Sequence, residues 1–194
     1  MAFHISDFTQ RLTGDGARPN LFQVVMSNIP GITGNKLSFM AKSAQLPGST
    51  IGTVPMYYFG REMKFAGNRT FADWTITVIN DEDFMIRNAF EKWMNAINSN
   101  ESNVRGNPGV SISATGQNYT TDAQVFQYGK AGPTSANAAN GAIKGYNFVG
   151  MFPVDLSPID LDWASNDSIE EFSVTFSYQY WTTGENGQTS GITT

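Results

Sequence analysis

A chain of 194 residues with no cysteine is long enough to bury a core without covalent staples, and it excludes disulfides and thiolate metal sites. Twelve basic residues against seventeen acidic ones give a net charge of −5, and the Lys and Arg are scattered, so the clustered cations that grip nucleic-acid phosphates are missing. The lack of thiols fits a reducing compartment, the first twelve residues do not read as a secretory signal, and no apolar run approaches the roughly 20 residues of a membrane span.

Residues 1–20 read as an N-terminal arm, with a short helix over 5–12. "LFQVVMS" alternates, with Phe22, Val24 and Met26 on one face, and predicts a strand. "GITGNK" at 31–36 lacks the spacing of a phosphate-binding loop and is expected to join two strands as a hairpin. "KLSFMAK" alternates Leu37, Phe39 and Ala41 and predicts the second of those strands. Residues 45–65 then predict an extended hairpin carrying Leu46, Pro47, Ile51, Val54, Pro55, Met56, Tyr57, Tyr58 and Phe59. That is more apolar surface than a solvated hairpin holds, and it points to a subunit interface. The alternative for 54–59 is an ordinary pair of core strands. "AGNRTF" reads as a tight turn, with Arg69 and Asp73 placed to pair across it. "DWTITVIN" turns Trp74, Ile76 and Val78 to one face and Asp73, Thr75 and Thr77 to the other.

One firm helix follows, over 81–98. Ile86, Ala89, Phe90, Trp93 and Ile97 keep the spacing of a single apolar face. Asn80 is the expected N-cap, and Asp81, Glu82 and Asp83 suit the positive end of the helix dipole. Residues 100–116 and 130–142 are loops by composition. Between and after them, "DAQVFQYG" and "AIKGYNFVGMF" read as strands. "PIDLDWA" alternates Ile159, Leu161 and Trp163 inward against Asp160 and Asp162 outward. "FSVTFSYQYW" sets Phe172, Val174, Phe176, Tyr178 and Tyr180 against Ser173, Thr175, Ser177 and Gln179. The tail, 182–194, is expected to be mobile or ordered by a partner. The whole, 1–194, is expected to be a single domain. It is mainly β, with two packed antiparallel sheets as a sandwich or flattened barrel and one flanking α-helix. Trp74, Ile76, Val78, Phe90, Trp93, Trp163, Phe176 and Tyr178 form the expected core.

The residues for chemistry are sparse. Asp160 and Asp162, two apart on one strand, would face one side as a dyad does, but the outward face of a half-buried strand accounts for them more simply. Glu170 and Glu171 point to opposite faces. His4 stands alone, and with no cysteine it cannot build a transition-metal set. No calcium-loop spacing appears. No catalytic, cofactor-binding or metal-ligating residue is assigned, no cofactor is expected, and the chain does not read as an enzyme.

"AGNRTFADWTITVINDEDFMIRNAFEKWMNAIN" resembles the tail tube protein of contractile-tailed bacteriophages of the T4 type. That family has a turn, then Asp-Trp-Thr-x-Thr-Val, then Asn-Asp-Glu, then a helix with an aromatic stripe. "ARPNLFQVVM", "AKSAQLPGSTIGTVPMYYFGREMKFAG" and "GMFPVDLSPIDLDWASNDSIEEFSVTFSYQYW" match further blocks in the same order, from about residue 5 to 181. Asn68 stands where the family often has Asp, the loops at 100–116 and 130–142 match poorly, and the tail extends past the usual end. The resemblance implies a structural subunit of six-membered rings stacked into a hollow tube inside a contractile sheath. It also implies sheath, baseplate, tape-measure and tail-terminator partners, and double-stranded DNA passing without specific binding. Location would be the virion, after assembly in the host cytoplasm. The alternatives are a tube-like baseplate initiator, the inner tube of another contractile injection system, or, in a different class, a carbohydrate-binding or hydrolytic virion β-sandwich.

Overall fold

Alternating apolar residues build most of the molecule, and where they fail to build a strand the reason is topological. The computed structural model describes residues 5–12, 16–26, 29, 36–101, 119–133, 139 and 141–185. Its strands are β1 Phe22–Met26, β2 Ala41–Ala44, β3 Thr50–Tyr58, β4 Arg61–Thr70, β5 Trp74–Ile79, β6 Thr121–Tyr128, β7 Ala142–Leu156, β8 Glu171–Ser177 and β9 Tyr180–Glu185. Its helices are α1 Ile5–Arg11, α2 Lys36–Met40 and α3 Met85–Ile97.

Seven strands form one antiparallel sheet in the order β1-β6-β7-β8-β5-β2, with β9 also paired to β7; β3 and β4 pair only with each other. β7 carries the bend. Its first half lies between β6 and β9, and its second half, from Phe152, pairs with β8. The change of partner falls at Gly150, whose φ of +65° favours glycine and whose missing Cβ would stand 3.0 Å from the Gln179 side chain. Asp122 Oδ1 accepts the Gly150 N–H at 3.0 Å and holds the bend. The two halves of the sheet close on one core, where Trp74 stacks on Phe148 with ring centres 4.5 Å apart. β1 and β2 do not pair. Helix α2 sits against both, Leu37 and Met40 pack into the core, and Gln23 Nε2 donates to Ser38 Oγ at 2.7 Å across the gap. The result is a flattened barrel with a helical plug.

Helix α3 covers the core from one side. Ile86, Ala89, Phe90 and Trp93 are buried and Ile97 packs beside them. Phe90 meets Phe176 edge-on at 5.7 Å, and Trp93 Nε1 donates to the Tyr119 carbonyl at 2.8 Å. Arg87 lies 5.4 Å over the Phe172 ring and donates to the Ser157 carbonyl at 3.2 Å.

Several expectations need correction. "KLSFMAK" is a helical turn and then β2, because Leu37, Met40 and Ala41 reach the core at helical spacing, which a short alternating run also fits. Helix α3 begins at Met85, not at 81. Asn80 is not its cap; its side chain donates to Glu170 Oε2 at 2.9 Å. Asp81 and Asp83 instead clamp Lys36, and Asp83 Oδ1 accepts the Met85 N–H at 2.9 Å. The clamp raises the Lys36 ammonium pKa above its ordinary value, chiefly through Asp83 and then Asp81. It lowers that of the Asp83 carboxyl, through Lys36 first and the Met85 N–H second.

"AGNRTF" is not a turn but mostly the end of β4, and no Arg69–Asp73 ion pair forms. "FSVTFSYQYW" breaks after Ser177 opposite the Gly150 bend, so the parity changes: Tyr178 is buried, Tyr180 is exposed and Trp181 turns inward. The tail is ordered through Glu185 as β9. Residues 31–35 of the expected hairpin, residues 102–118, most of 134–140 and residues 186–194 lie outside the described residues.

The largest correction concerns residues 158–164, which form no strand. β8 is already flanked by β5 and β7, so no sheet edge is vacant beside it. Ser157 still bonds the Ser173 backbone in both directions, and then the chain leaves the sheet. Trp163, expected in the core, is 101 % exposed, and Leu161 is 82 % exposed.

Candidate assembly interface

The β3–β4 ribbon is built like a core hairpin and lacks a core. Opposed residues share a face. Val54–Phe65, Met56–Met63 and Tyr58–Arg61 lie on one side; Thr53–Ala66, Pro55–Lys64 and Tyr57–Glu62 lie on the other. The first face is apolar along nearly its full length, yet its hydrophobic side chains are 43–65 % exposed. The ribbon turns through Phe59 and Gly60, both at positive φ, in a two-residue hairpin. Phe59 at φ 46° is strained for an aromatic residue and is 91 % exposed, with Tyr58 edge-on to it at 4.6 Å. Toward the base, Gly52 and Gly67 pass so closely that a Cβ on Gly67 would stand 3.0 Å from the Gly52 carbonyl oxygen.

The base is fixed while the ribbon is bare. Trp74 Nε1 donates to the Gln45 carbonyl at 2.6 Å, and Trp181 Nε1 donates to the Gly48 carbonyl at 3.2 Å. Phe71, in the link from β4 to β5, packs against Tyr178 and Trp181 at 6.0 and 6.5 Å. Burial raises the Tyr178 hydroxyl pKa, and the nearby Asp73 charge adds to the effect. Phe71 and Trp181 thus anchor the ribbon. Neither role is legible in the sequence: Trp181 bonds a backbone carbonyl and Phe71 meets rings distant along the chain, and neither contact leaves a local pattern.

The predicted interface residues fall in two places. Ile51, Val54, Met56, Tyr57, Tyr58 and Phe59 are exposed on the ribbon or its tip, which removes the alternative that 54–59 are core strands. Leu46, exposed, and Pro47, half-buried, lie in the connector before β3, since the hairpin spans 50–70 rather than 45–65.

A second exposed surface surrounds the loop that leaves β7. Ile159, Leu161, Trp163 and Ile169, together with Asp160, Asp162, Glu170 and Glu171, line an open concavity of about 500 Å³. Asp160 and Asp162 are therefore not the outer face of a strand; Asp162 Oδ1 accepts the Ala164 N–H at 3.1 Å as part of a turn. Glu170 accepts from Asn80, and Glu171 pairs with Lys42 at 2.5 Å. Among the described residues no three His, Cys, Asp or Glu side chains come together to hold a metal ion. No helix among them is long and apolar enough to cross a membrane. On the outer face of β5 and β8, Thr75 and Thr175 hydrogen-bond at 3.1 Å within a half-buried row of Ser and Thr.

The phage tail tube protein family matches residues 11–184. This chain belongs to that family. It is 33 % identical over 178 residues to the tail tube protein gp19 of Enterobacteria phage T4, covering 91 % of this chain and 98 % of that protein. The tail tube protein gp19 of Enterobacteria phage T6 matches to the same extent. Among solved structures, the sheath–tube complex of an extracellular contractile injection system in its extended state contains a chain of the same fold. Its TM-score is 0.60 at 16 % identity, over 95 % of this chain and 99 % of that one. As a tail tube protein the chain is a structural component of a bacteriophage virion, and the β3–β4 ribbon is a bare apolar surface on a subunit of a tube.

Proposed function

We propose that six copies of this chain close into a ring and that rings stack into a hollow tube inside a contractile sheath. In this reading the tube is bounded by baseplate, tape-measure and tail-terminator proteins, and double-stranded DNA passes down it into the host bacterium. The observation that carries the reading is the ribbon. An apolar strand face with a strained aromatic tip, anchored at its base, exposed along its length and paired to no other strand, is built for another molecule. The stacking residues in this reading are Val54, Met56, Tyr58, Phe59 and Phe65, with Leu46, Pro47, Ile51 and Tyr57 at the margins.

Two further features support it. β1 and β2, at the ends of the strand path, each have one edge without a partner among the described strands, which suits ring closure by strand addition. A net charge of −5 per chain, multiplied around a ring, disfavours adhesion of phosphates to the lumen wall. The reading requires no catalysis. Negative-stain microscopy of concentrated protein tests it: tubes are expected from the natural chain and none from a folded V54S/M56S/F65S variant. Long tubes from that variant overturn the stacking role. Single rings without tubes from the natural chain favour a baseplate initiator instead.

A further inference from the structure

We infer that the β3–β4 ribbon of one copy seats in the 158–171 concavity of a second copy. This rests on the stacking role proposed above and adds the surface that receives the ribbon. Each surface presents large apolar side chains left uncovered within its own chain: Phe59 at the ribbon tip, and Leu161, Trp163 and Ile169, which are 82, 101 and 72 % exposed, around a concavity also lined by acids and serines. Their shapes are opposite, a projecting two-residue turn against an open hollow.

Charge chooses the pairing. Residues 50–70 carry Arg61, Lys64 and Arg69 against Glu62, a net +2 on a chain whose total is −5. Residues 158–171 carry Asp160, Asp162, Asp167, Glu170 and Glu171 and no Lys or Arg, a net −5. Glu170 and Glu171 already have partners, which leaves Asp160, Asp162 and Asp167 facing outward. Among the described residues Arg61, Lys64 and Arg69 have no acid within ion-pair distance. Ribbon against ribbon would bring cations together, and hollow against hollow would bring acids together. Only ribbon against hollow covers the exposed apolar side chains of both surfaces while bringing opposite charges together. Because the two surfaces differ and every copy has one of each, the contact is heterologous and repeats without limit, as a growing stack requires.

The cysteine-free chain makes the test clean. Phe59→Cys and Trp163→Cys chains, mixed under assembling conditions and treated with a short bis-maleimide, are expected to give a covalent dimer that neither chain gives alone. Equal cross-linking of Phe59→Cys with itself, or tubes from the mixture with no cross-link, overturns the inference. Independently, R61E/K64E is expected to raise the assembly threshold about tenfold, as two exposed ion pairs allow. D160K/D162K in the same chain is expected to restore it, with circular-dichroism melts confirming the fold of each variant. Loss without restoration overturns the pairing. The two readings fail differently. If ribbon variants leave tubes intact, both fall. If ribbon variants abolish tubes while Trp163→Ser and D160K/D162K do not, stacking by the ribbon stands and only the receiving surface is wrong.

Discussion

β5–β8 and β3–β4 are both antiparallel strand pairs with one apolar face, and they meet opposite fates. Trp74, Ile76, Val78, Phe172, Val174 and Phe176 are buried beneath α3 and the opposing half of the sheet. Val54, Met56, Tyr58, Met63 and Phe65 have the same alternation and lie bare. The difference is not in hydrophobicity but in cover. The chain supplies a lid for one pair and leaves the other bare, so the first governs whether a subunit folds and, under the proposed function, the second governs whether subunits join.

That contrast can be broken from either side. Trp93→Ala should cost about 3–5 kcal/mol of folding stability, the range for truncating a buried aromatic; a denaturant melt showing less than about 1 kcal/mol would mean that α3 is not the lid. V54S/M56S/F65S should leave that melt within about 0.5 kcal/mol. It should raise the assembly threshold by roughly a hundredfold, each side chain contributing about 1 kcal/mol of burial between copies. Phe59→Asn sharpens the division further. It creates an Asn-Gly turn suited to two positive φ angles, so the monomer should gain up to about 1 kcal/mol while assembly weakens. A variant that melted lower, or assembled better, would refute the view that the tip aromatic is kept for a partner.

The smallest effect should come from the Lys36 clamp at the entry to α3. Asp83 has a lowered pKa, so its contribution is present above the ordinary value of 3.8 and is lost as pH falls through the lowered one. Lys36 has a raised pKa, so its contribution is present below 10.5 and is lost as pH rises through the raised one. Between those limits the pair should be fully formed. Asp83→Asn should flatten the acid limb of a melting-temperature profile without changing its centre; an unchanged acid limb would show that the clamp adds nothing to stability.

Much of the fold was legible in period and spacing. β5, β8 and the apolar stripe of α3 announce themselves because each is long enough for one period to exclude the other. Residues 36–44 did not, because five residues of helix followed by four of strand never complete either pattern. The loop containing Leu161 and Trp163 misled for a different reason. Its alternation was real, but a strand needs a vacant edge, and edge occupancy is a property of the whole sheet rather than of seven residues. The ribbon was recognisable as too apolar for solvent. Its true bounds depend on the close crossing of Gly52 and Gly67, and its anchors on indole N–H groups that meet backbone carbonyls, neither of which has a sequence signature.

The long strand β7 gives the subunit a mechanical character. Since it belongs to both halves of the sheet, neither half has a seam along which the other could slide. Tension entering at β6 reaches β8 through one covalent backbone bent at Gly150. Stretching a single subunit with an optical trap should give one rupture rather than two in succession, and a column of such subunits would carry axial thrust without shearing inside its own bricks.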